Sequence, residues 1–276
     1  MNIGLRESAR LAPSADVGGE ATPSRMNASR DARARTPPVD DGGACGSISV
    51  SQSVDAGGQE RGRALCLLLN PDVVLEPGCV AALLEAAARY PDAAILAPRL
   101  VEADGRFFFQ PRSLLSPHLR NEIGAPCVPQ GDCCAPFLSG ACLLVERDFI
   151  LSLGGFDELI FLFYEDDDLC RRVIDSGRSL VHVDGALARH ARGGSTLPSR
   201  GRVFKARWHM AWSAGYVARK YGLADPSLRN LFVNTLKFCG AALTLNRALM
   251  ERYGGSAAGA LAWLRGYGAL EREGLS

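Results

Sequence analysis

The sequence lacks the cysteine pattern of a disulfide-stabilised protein. Its nine cysteines include no CxxC pair and follow no regular spacing, and their odd number argues against the fully paired framework of a secreted protein. No basic segment followed by an apolar run opens the chain, which argues against a secretory leader. We therefore predict a protein of a reducing compartment, the cytoplasm.

The sequence also has no large excess of one charge sign and few long apolar runs. The 31 basic and 30 acidic residues nearly balance, so we predict no nucleic-acid partner. The longest apolar stretch of the C-terminal third begins at Leu231, is broken by Asn234 and Lys237, and is shorter than the roughly 20 residues of a membrane-spanning helix. The absence of a glycine-rich phosphate-binding loop makes a phosphotransferase a weak alternative.

The first part of the chain has little apolar character. Residues 1 to about 60 are rich in Ser, Gly, Ala, Arg, Asp and Pro and contain no apolar run of strand length. Such a segment cannot bury enough apolar surface to offset its loss of conformational entropy. We therefore expect residues 1–60 to be disordered or non-native.

An α/β pattern begins at Ala64. The apolar run ALCLLLN predicts a buried strand, the following residues up to Tyr90 have apolar side chains at helical spacing, and AAILAPRL predicts a second buried strand. A strand, a helix and a strand in this order indicate a βαβ unit and an α/β sheet. Residues 102–136, which hold many Pro, Gly and Cys residues, predict a long loop.

The remaining elements complete a partial domain and a helical region. PFLSGACLLVERD and RSLVHVDG predict strands, whereas RDFILSLGG and EDDDLCRRVIDSG predict helices that end at glycines. From Arg202 onward the pattern is mostly helical. We therefore predict a sheet-containing domain over residues 61–200 and a helical region over residues 201–276.

Four acidic side chains stand together in the segment LFYEDDDLCRR, at Glu165, Asp166, Asp167 and Asp168. One interpretation is structural, because acids stabilise the positive end of a helix dipole and Asp168 could pair with Arg171 or Arg172 one turn later. Four adjacent acids exceed what capping needs, however. The apolar run before them leads from the core to a sheet edge, where α/β proteins bind ligands.

Two further residues are candidates for metal binding. Asp72 follows a predicted buried strand, where a carboxylate can hold a divalent cation that also binds phosphate oxygens. The alternative is an ordinary turn formed by Asn, Pro and Asp. His190, in the segment GALARHARGGS, could be a structural histidine, or a nitrogen ligand for the same metal if it lies near Asp72.

Several motifs occur in the order of a known enzyme family: LNPDV, SGACLLV, GGFDE, YEDDDL, GRSLVHVDGALARH and GGS. Over roughly residues 60 to 220 the chain resembles the family 2 glycosyltransferases, in particular their rhamnosyltransferase-like branch. The resemblance implies the glycosyltransferase A (GT-A) fold, a mixed sheet with flanking helices. It also implies inverting transfer of a sugar from a nucleotide diphosphate donor, usually with Mg²⁺ or Mn²⁺, in cell-surface polysaccharide assembly.

The resemblance assigns roles to individual residues. Asn70 and Asp72 match the DxD-type motif, so Asp72 would ligate the metal that bridges the donor diphosphate, and His190 would complete the metal site. Asp166 matches the catalytic base, with Glu165 beside it. For Asp168 we expect a role in orienting the loop or the acceptor.

The reaction explains why these residue types are needed. Inverting transfer is a single displacement at the anomeric carbon, so a base must take the proton of the acceptor hydroxyl on the face opposite the leaving group. A carboxylate can do this. The leaving nucleoside diphosphate gains negative charge, which a divalent cation stabilises.

The chain departs from the family before the motif LNPDV. Family members begin with a strand similar to VVIVTYN and two further βα units, which residues 1–60 do not match. We therefore expect an N-terminally incomplete GT-A-like domain, from a truncated or frame-shifted gene, with an exposed sheet edge. The alternative function is a catalytically inactive remnant that at most binds an acceptor or partner.

Basic and aromatic residues alternate in the segment from Ser199 to Gly222. Phe204, Trp208 and Trp212 share one helical face, which predicts either packing on the core or a surface for anionic lipid or an acceptor diphosphate. Acceptors in the resembled family are often polyprenyl-diphosphate sugars at the inner face of the cytoplasmic membrane. Peripheral membrane contact is therefore a further expectation.

Overall fold

A computed structural model describes residues 63–109, 113–115, 129–191 and 201–274 of the chain. The prediction for residues 1–60 lies outside these ranges, as does much of the predicted loop 102–136. The described residues form seven strands: β1 (Leu65–Leu69), β2 (Val73–Leu75), β3 (Ala93–Glu102), β4 (Phe107–Phe108), β5 (Cys133–Cys134), β6 (Cys142–Glu146) and β7 (Ser179–His190). They also form seven helices: α1 (Cys79–Arg89), α2 (Arg147–Ser152), α3 (Glu165–Asp175), α4 (Arg202–Lys220), α5 (Ser227–Leu243), α6 (Arg247–Leu264) and α7 (Ala269–Arg272).

All seven strands belong to one mixed sheet, as predicted. Its order is β1-β6-β3-β7-β2, with β4 added to β3 and β5 added to β7. The pair β3–β7 is parallel and the other pairs are antiparallel. Strands β1 and β3 run in the same direction, as the βαβ pattern predicts, but β6 lies between them. Among the described strands β1 is paired on one side only.

The central strand β3 is buried on both faces, which explains its continuous apolar sequence. Ile95 packs into a cluster with Leu169 and Val173 of α3, whereas its neighbour Leu96 packs with Leu83 of α1. Successive side chains of a strand point to opposite faces, so α3 and α1 cover opposite sides of the sheet. This arrangement holds α3, with its acidic first turn, against the core.

The aromatic face of α4 is occupied by packing. Trp208 and Trp212 are buried together with Trp263 of α6, and the Trp212 indole donates a hydrogen bond to the carbonyl oxygen of Tyr267. These contacts support the packing interpretation of the basic and aromatic segment. No helix in the described ranges is long and apolar enough to cross a membrane.

Helix α6 lies between α4 and α5 and approaches α4 through two glycines. A Cβ atom at Gly259 would overlap the carbonyl oxygen of Trp208, and one at Gly255 would overlap the carbonyl oxygen of Phe204. Only glycine permits this backbone contact. The helical region is therefore held by close helix packing as well as by buried indoles.

We expect Gly259→Ala to lower the free energy of unfolding by about 1–3 kcal/mol, because the added methyl group forces α6 away from α4. The matched control is Gly240→Ala in α5, where a Cβ atom meets nothing within 4 Å. The control should raise stability by about 0.5–1 kcal/mol through helix propensity. Urea denaturation of both variants tests this, and equal effects would contradict the packing described.

Candidate active site

The acidic helix α3 begins at a strained backbone turn. Phe163 and Tyr164, the two residues before it, have φ angles of 67° and 72°, a region that non-glycine residues rarely adopt. Ile160, just before the turn, is buried in a cluster with Leu115 and Val217. The turn therefore leads the chain from buried apolar residues directly into four carboxylates in the first turn of the helix. Strain of this kind is commonly found at functional sites.

Asp166 is fixed in place by backbone groups. Its Oδ2 accepts a hydrogen bond from the N–H of Gly140 at 3.0 Å, and its Oδ1 accepts one from the N–H of Asp167 at 2.9 Å. A Cβ atom at Gly140 would lie 3.2 Å from the Cβ atom of Asp166, so glycine allows this close approach. Burial raises the pKa of Asp166, and the backbone N–H groups oppose that rise.

The two neighbours of Asp166 also hold protons more tightly than usual. Burial and the nearby charge of Asp166 raise the pKa of Glu165 to about 7. Burial raises the pKa of Asp167 to about 6, although the hydroxyl of Ser113 donates to its Oδ1 at 2.6 Å and opposes the rise. The Oε2 of Glu165 is buried and has no hydrogen-bond partner among the described residues. Three adjacent carboxylates thus lose their protons at higher pH than isolated carboxylates do.

These shifts predict how stability depends on pH. The pKa of Glu165 rises from 4.5 to about 7 on folding, so the folded state binds its proton more tightly and stability falls as pH increases between these values. We expect Glu165→Gln to raise the free energy of unfolding at about pH 8 by about 1–3 kcal/mol and to leave it nearly unchanged at about pH 4. Urea denaturation at the two pH values measures this.

The control for this prediction is Glu85→Gln, on the exposed side of α1. Glu85 is in solvent, so its substitution should change stability by less than about 0.5 kcal/mol at either pH. A stabilisation of Glu165→Gln that is equal at both pH values would contradict the assigned pKa.

Asp168 has a different environment from the other three acids. Its side chain is fully buried and contacts Arg172 at 2.8 Å, Lys220 at 2.6 Å and the hydroxyl of Tyr221 at 2.7 Å. The structural interpretation predicted that Asp168 pairs with an arginine one turn later, and the contact with Arg172 confirms that pairing. The contacts to Lys220 and Tyr221 connect α3 to the end of α4, which suits a positioning residue rather than one that touches substrate.

The second predicted group lies at the end of β7. Strands β2 and β7 pair Val73 with His190, and the N–H of Ala191 donates to the carbonyl oxygen of Asp72 at 2.9 Å. This pairing sets the Nε2 of His190 3.5 Å from the Oδ1 of Asp72. The two residues predicted as metal ligands are therefore neighbours in the structure. A histidine with a purely structural role would not need to lie beside Asp72.

Glu102 joins this pair and was not predicted. It is the last residue of β3 and the register partner of His190 in the parallel pair β3–β7. Its Oε1 lies 4.0 Å from the Nδ1 of His190. A carboxylate orients a ligating histidine by accepting a hydrogen bond from its far nitrogen, and 4.0 Å is too long for such a bond. The only sequence signal for Glu102 was a carboxylate at the end of a buried strand.

The backbone connects the two groups of acidic residues. The N–H of Asn70, in the turn before Asp72, donates to the carbonyl oxygen of Ala141 at 2.9 Å. The preceding residue, Gly140, donates to Asp166. The turn that contains Asp72 and the first turn of α3 are therefore held on either side of the short segment Gly140–Ala141.

The fit of this site to a divalent metal can be judged from its donor atoms. Within the described ranges, no group of three or more His, Cys, Asp and Glu side chains is arranged to hold a metal ion. Asp72 and His190 offer one oxygen and one nitrogen. Mg²⁺ and Mn²⁺ in phosphate-binding sites commonly use one or two protein ligands and complete their shell with water and phosphate oxygens. The donor set fits such an ion.

Comparison with known proteins finds relatives for about half of the chain. No family model matches the chain. Over 151 residues, however, it is 34% identical to N-acetylglucosaminyl-diphospho-decaprenol L-rhamnosyltransferase from two strains of Mycobacterium tuberculosis, CDC 1551 / Oshkosh and ATCC 25618 / H37Rv. The resemblance to rhamnosyltransferase-like glycosyltransferases is confirmed. The match covers 47% of this chain and 48% of each relative, so the chain spans about half the length of these curated relatives.

A solved structure is also similar to part of the chain. The crystal structure of GalNAc-T7 with UDP, GalNAc and Mn²⁺ matches with a TM-score of 0.37 and 14% sequence identity. The match covers 58% of this chain and 34% of that one.

Proposed function

We propose that this chain is an inverting glycosyltransferase that moves a sugar, with rhamnose as the first candidate, from a nucleotide diphosphate donor to a polyprenyl-diphosphate-linked or other glycan acceptor. The observation that carries the proposal is the half-buried carboxylate of Asp166, held by backbone N–H groups and joined through the segment Gly140–Ala141 to the turn that contains Asp72, which lies beside His190. The mycobacterial relatives support the sugar and the acceptor class by their names.

Asp166 has the features of a general base. Each of its oxygens accepts one backbone hydrogen bond and keeps a further lone pair, which can accept the proton of an acceptor hydroxyl. Burial raises its pKa toward the range in which a carboxylate removes protons efficiently near neutral pH. Below its own pKa the neighbouring side chain of Glu165 is protonated and neutral, so it repels the charge of Asp166 less.

Asp72 and His190 are the residues that would hold a divalent cation, and Glu102 lies 4.0 Å from the far nitrogen of His190. Such a cation, when bound, stabilises the negative charge that develops on the leaving nucleoside diphosphate. Asn70 would take part through the turn that it shares with Asp72. These assignments give Asp72, Asp166 and His190 one task each in the same displacement.

The proposal extends to the organisation and location of the protein. Residues 61–200 would form the transferase domain and residues 201–276 a helical region that supports it through the contacts of Asp168 with Lys220 and Tyr221. A polyprenyl-diphosphate acceptor would bring the protein to the inner face of the cytoplasmic membrane. Cell-envelope polysaccharide assembly is the corresponding process.

Calorimetric titration with dTDP and UDP, with Mn²⁺ and with a chelator, tests the donor half of the proposal. We expect binding of one nucleotide that weakens at least about tenfold when the metal is removed, as expected for a diphosphate held through a cation. Absence of binding by the folded chain would favour the inactive alternative, in which an acceptor or partner is at most bound.

A further inference from the structure

Helix α5 carries a continuous apolar face that is open to solvent. Four of its large side chains are more than half exposed: Leu228 at 71%, Phe232 at 67%, Leu236 at 57% and Leu243 at 89%. With the exposed Cys239 they lie within about 80° of one another around the helix axis, at 100° per residue. We call these five residues the α5 stripe. Single exposed apolar residues are common, but a stripe along a whole helix needs an explanation.

No other helix or strand in the described ranges covers the α5 stripe. Helix α5 packs on α6, where the ring of Phe238 approaches Gly254, and it has little contact with α4. Only Ser227 and Ala241 of its 17 residues are buried. Helix α5 is therefore the outermost element of the helical region.

The exposed charges nearest the α5 stripe are mainly basic. Arg229 lies next to the stripe around the helix axis and Arg247 is exposed at the start of α6, whereas Lys237 lies on the side of α5 toward α6, over the ring of Tyr253. Residues 227–250 contain no Asp or Glu, and Asp225 before the helix accepts from the N–H of Ser227. An apolar face with basic flanks is the pattern of a helix that lies in the interface of an anionic membrane. A second copy of the chain fits less well, because a symmetric contact would bring these basic residues together without acidic partners.

We propose that the α5 stripe docks the protein on an anionic lipid bilayer, with the helix lying in the plane of the headgroups and Arg229 and Arg247 near lipid phosphates. At 1.5 Å per residue α5 is about 25 Å long, and it would bury its apolar side by roughly 5–10 Å rather than span the bilayer. The inference rests on the proposed function only in that a lipid-linked acceptor gives the docking a purpose.

Co-sedimentation with vesicles tests the docking. The full chain is mixed with vesicles of phosphatidylcholine alone and with vesicles containing phosphatidylglycerol. We expect binding to the anionic vesicles, and at least about a tenfold lower partition coefficient for Phe232→Ser/Leu236→Ser. The variant Arg229→Gln/Arg247→Gln should also bind the anionic vesicles at least about tenfold more weakly, with little change on neutral vesicles.

Matched controls separate docking from general loss of apolar surface. Leu159 and Val203 are 53% and 45% exposed and lie outside the α5 stripe, so Leu159→Ser/Val203→Ser should bind vesicles as the unchanged chain does. Equal binding by both double serine variants, or no binding by the unchanged chain, would overturn the proposal. So would a dimer, detected by analytical ultracentrifugation without lipid, that Phe232→Ser/Leu236→Ser dissociates.

The same variants distinguish this inference from the proposed function. Nucleotide titration is made without vesicles, and Phe232→Ser/Leu236→Ser should bind nucleotide as the unchanged chain does. Normal nucleotide binding without vesicle binding would overturn the docking and leave the glycosyltransferase proposal standing. Vesicle binding without nucleotide binding would overturn the glycosyltransferase proposal and leave the docking standing.

Discussion

Replacement of Asp166 by Asn should lower the rate of sugar transfer about 10²- to 10⁴-fold, because the amide cannot take the proton of the acceptor hydroxyl. The oxygen of Asn can accept from one of the two backbone N–H groups that Asp166 binds, but its NH2 group cannot accept from the other, so one hydrogen bond at the start of α3 is lost. Asp166 does not contact the donor in the proposal, so nucleotide affinity should change by less than about threefold. Single-turnover transfer measurements separate the chemical step from binding.

The matched control for Asp166→Asn is Asp175→Asn in the last turn of the same helix. Asp175 is 46% exposed and pairs with Arg171 at 2.7 Å on the surface, so its loss should affect stability by less than about 1 kcal/mol and transfer very little. Transfer by Asp166→Asn at the rate of this control would exclude Asp166 as the base.

Asp72→Ala and His190→Ala should each weaken Mn²⁺ binding in the presence of dTDP by about 100-fold or more, because each would remove one of the two proposed protein ligands. Glu102→Gln should weaken it by about tenfold at most, because Glu102 lies 4.0 Å from the far nitrogen of His190 without a hydrogen bond to it. The electron paramagnetic resonance signal of free Mn²⁺ measures binding directly and does not require an active enzyme.

Glu76→Gln is the control for the metal site. Glu76 lies near the same turn but pairs with Arg189 on the surface, so its substitution should leave Mn²⁺ affinity unchanged. A loss of affinity as large as that of Asp72→Ala would mean that general negative charge, and not direct ligation, attracts the ion. Unchanged affinity in His190→Ala would remove His190 from the site.

Elements that depend on local sequence pattern could be predicted from the sequence alone. The strand before Asn70, the helix that begins with the acidic residues and the glycine after it all follow from apolar periodicity and turn chemistry. The proximity of Asp72 and His190 was expected only through the family resemblance. It arises from the pairing of β2 with β7, two strands more than 100 positions apart, which no local pattern specifies.

Long-range contacts account for what could not be predicted. Glu102 reaches His190 through the parallel register of β3 and β7, and Asp168 is buried because Lys220 and Tyr221 meet it from the end of α4. The apolar residues of α5 were visible in the sequence. Their exposure depends on α5 being the outermost helix, which is decided by how α4 and α6 pack through Gly259.

The most direct test of the central claim is mass spectrometry of an N-acetylglucosaminyl-diphospho-polyprenol acceptor after incubation with the purified chain, dTDP-rhamnose and Mn²⁺. We predict a product whose mass increases by one deoxyhexose, which is absent with chelator and with Asp166→Asn. Unmodified acceptor from a folded chain that binds dTDP, over the full set of nucleotide sugars tested, would contradict the claim and favour the inactive alternative.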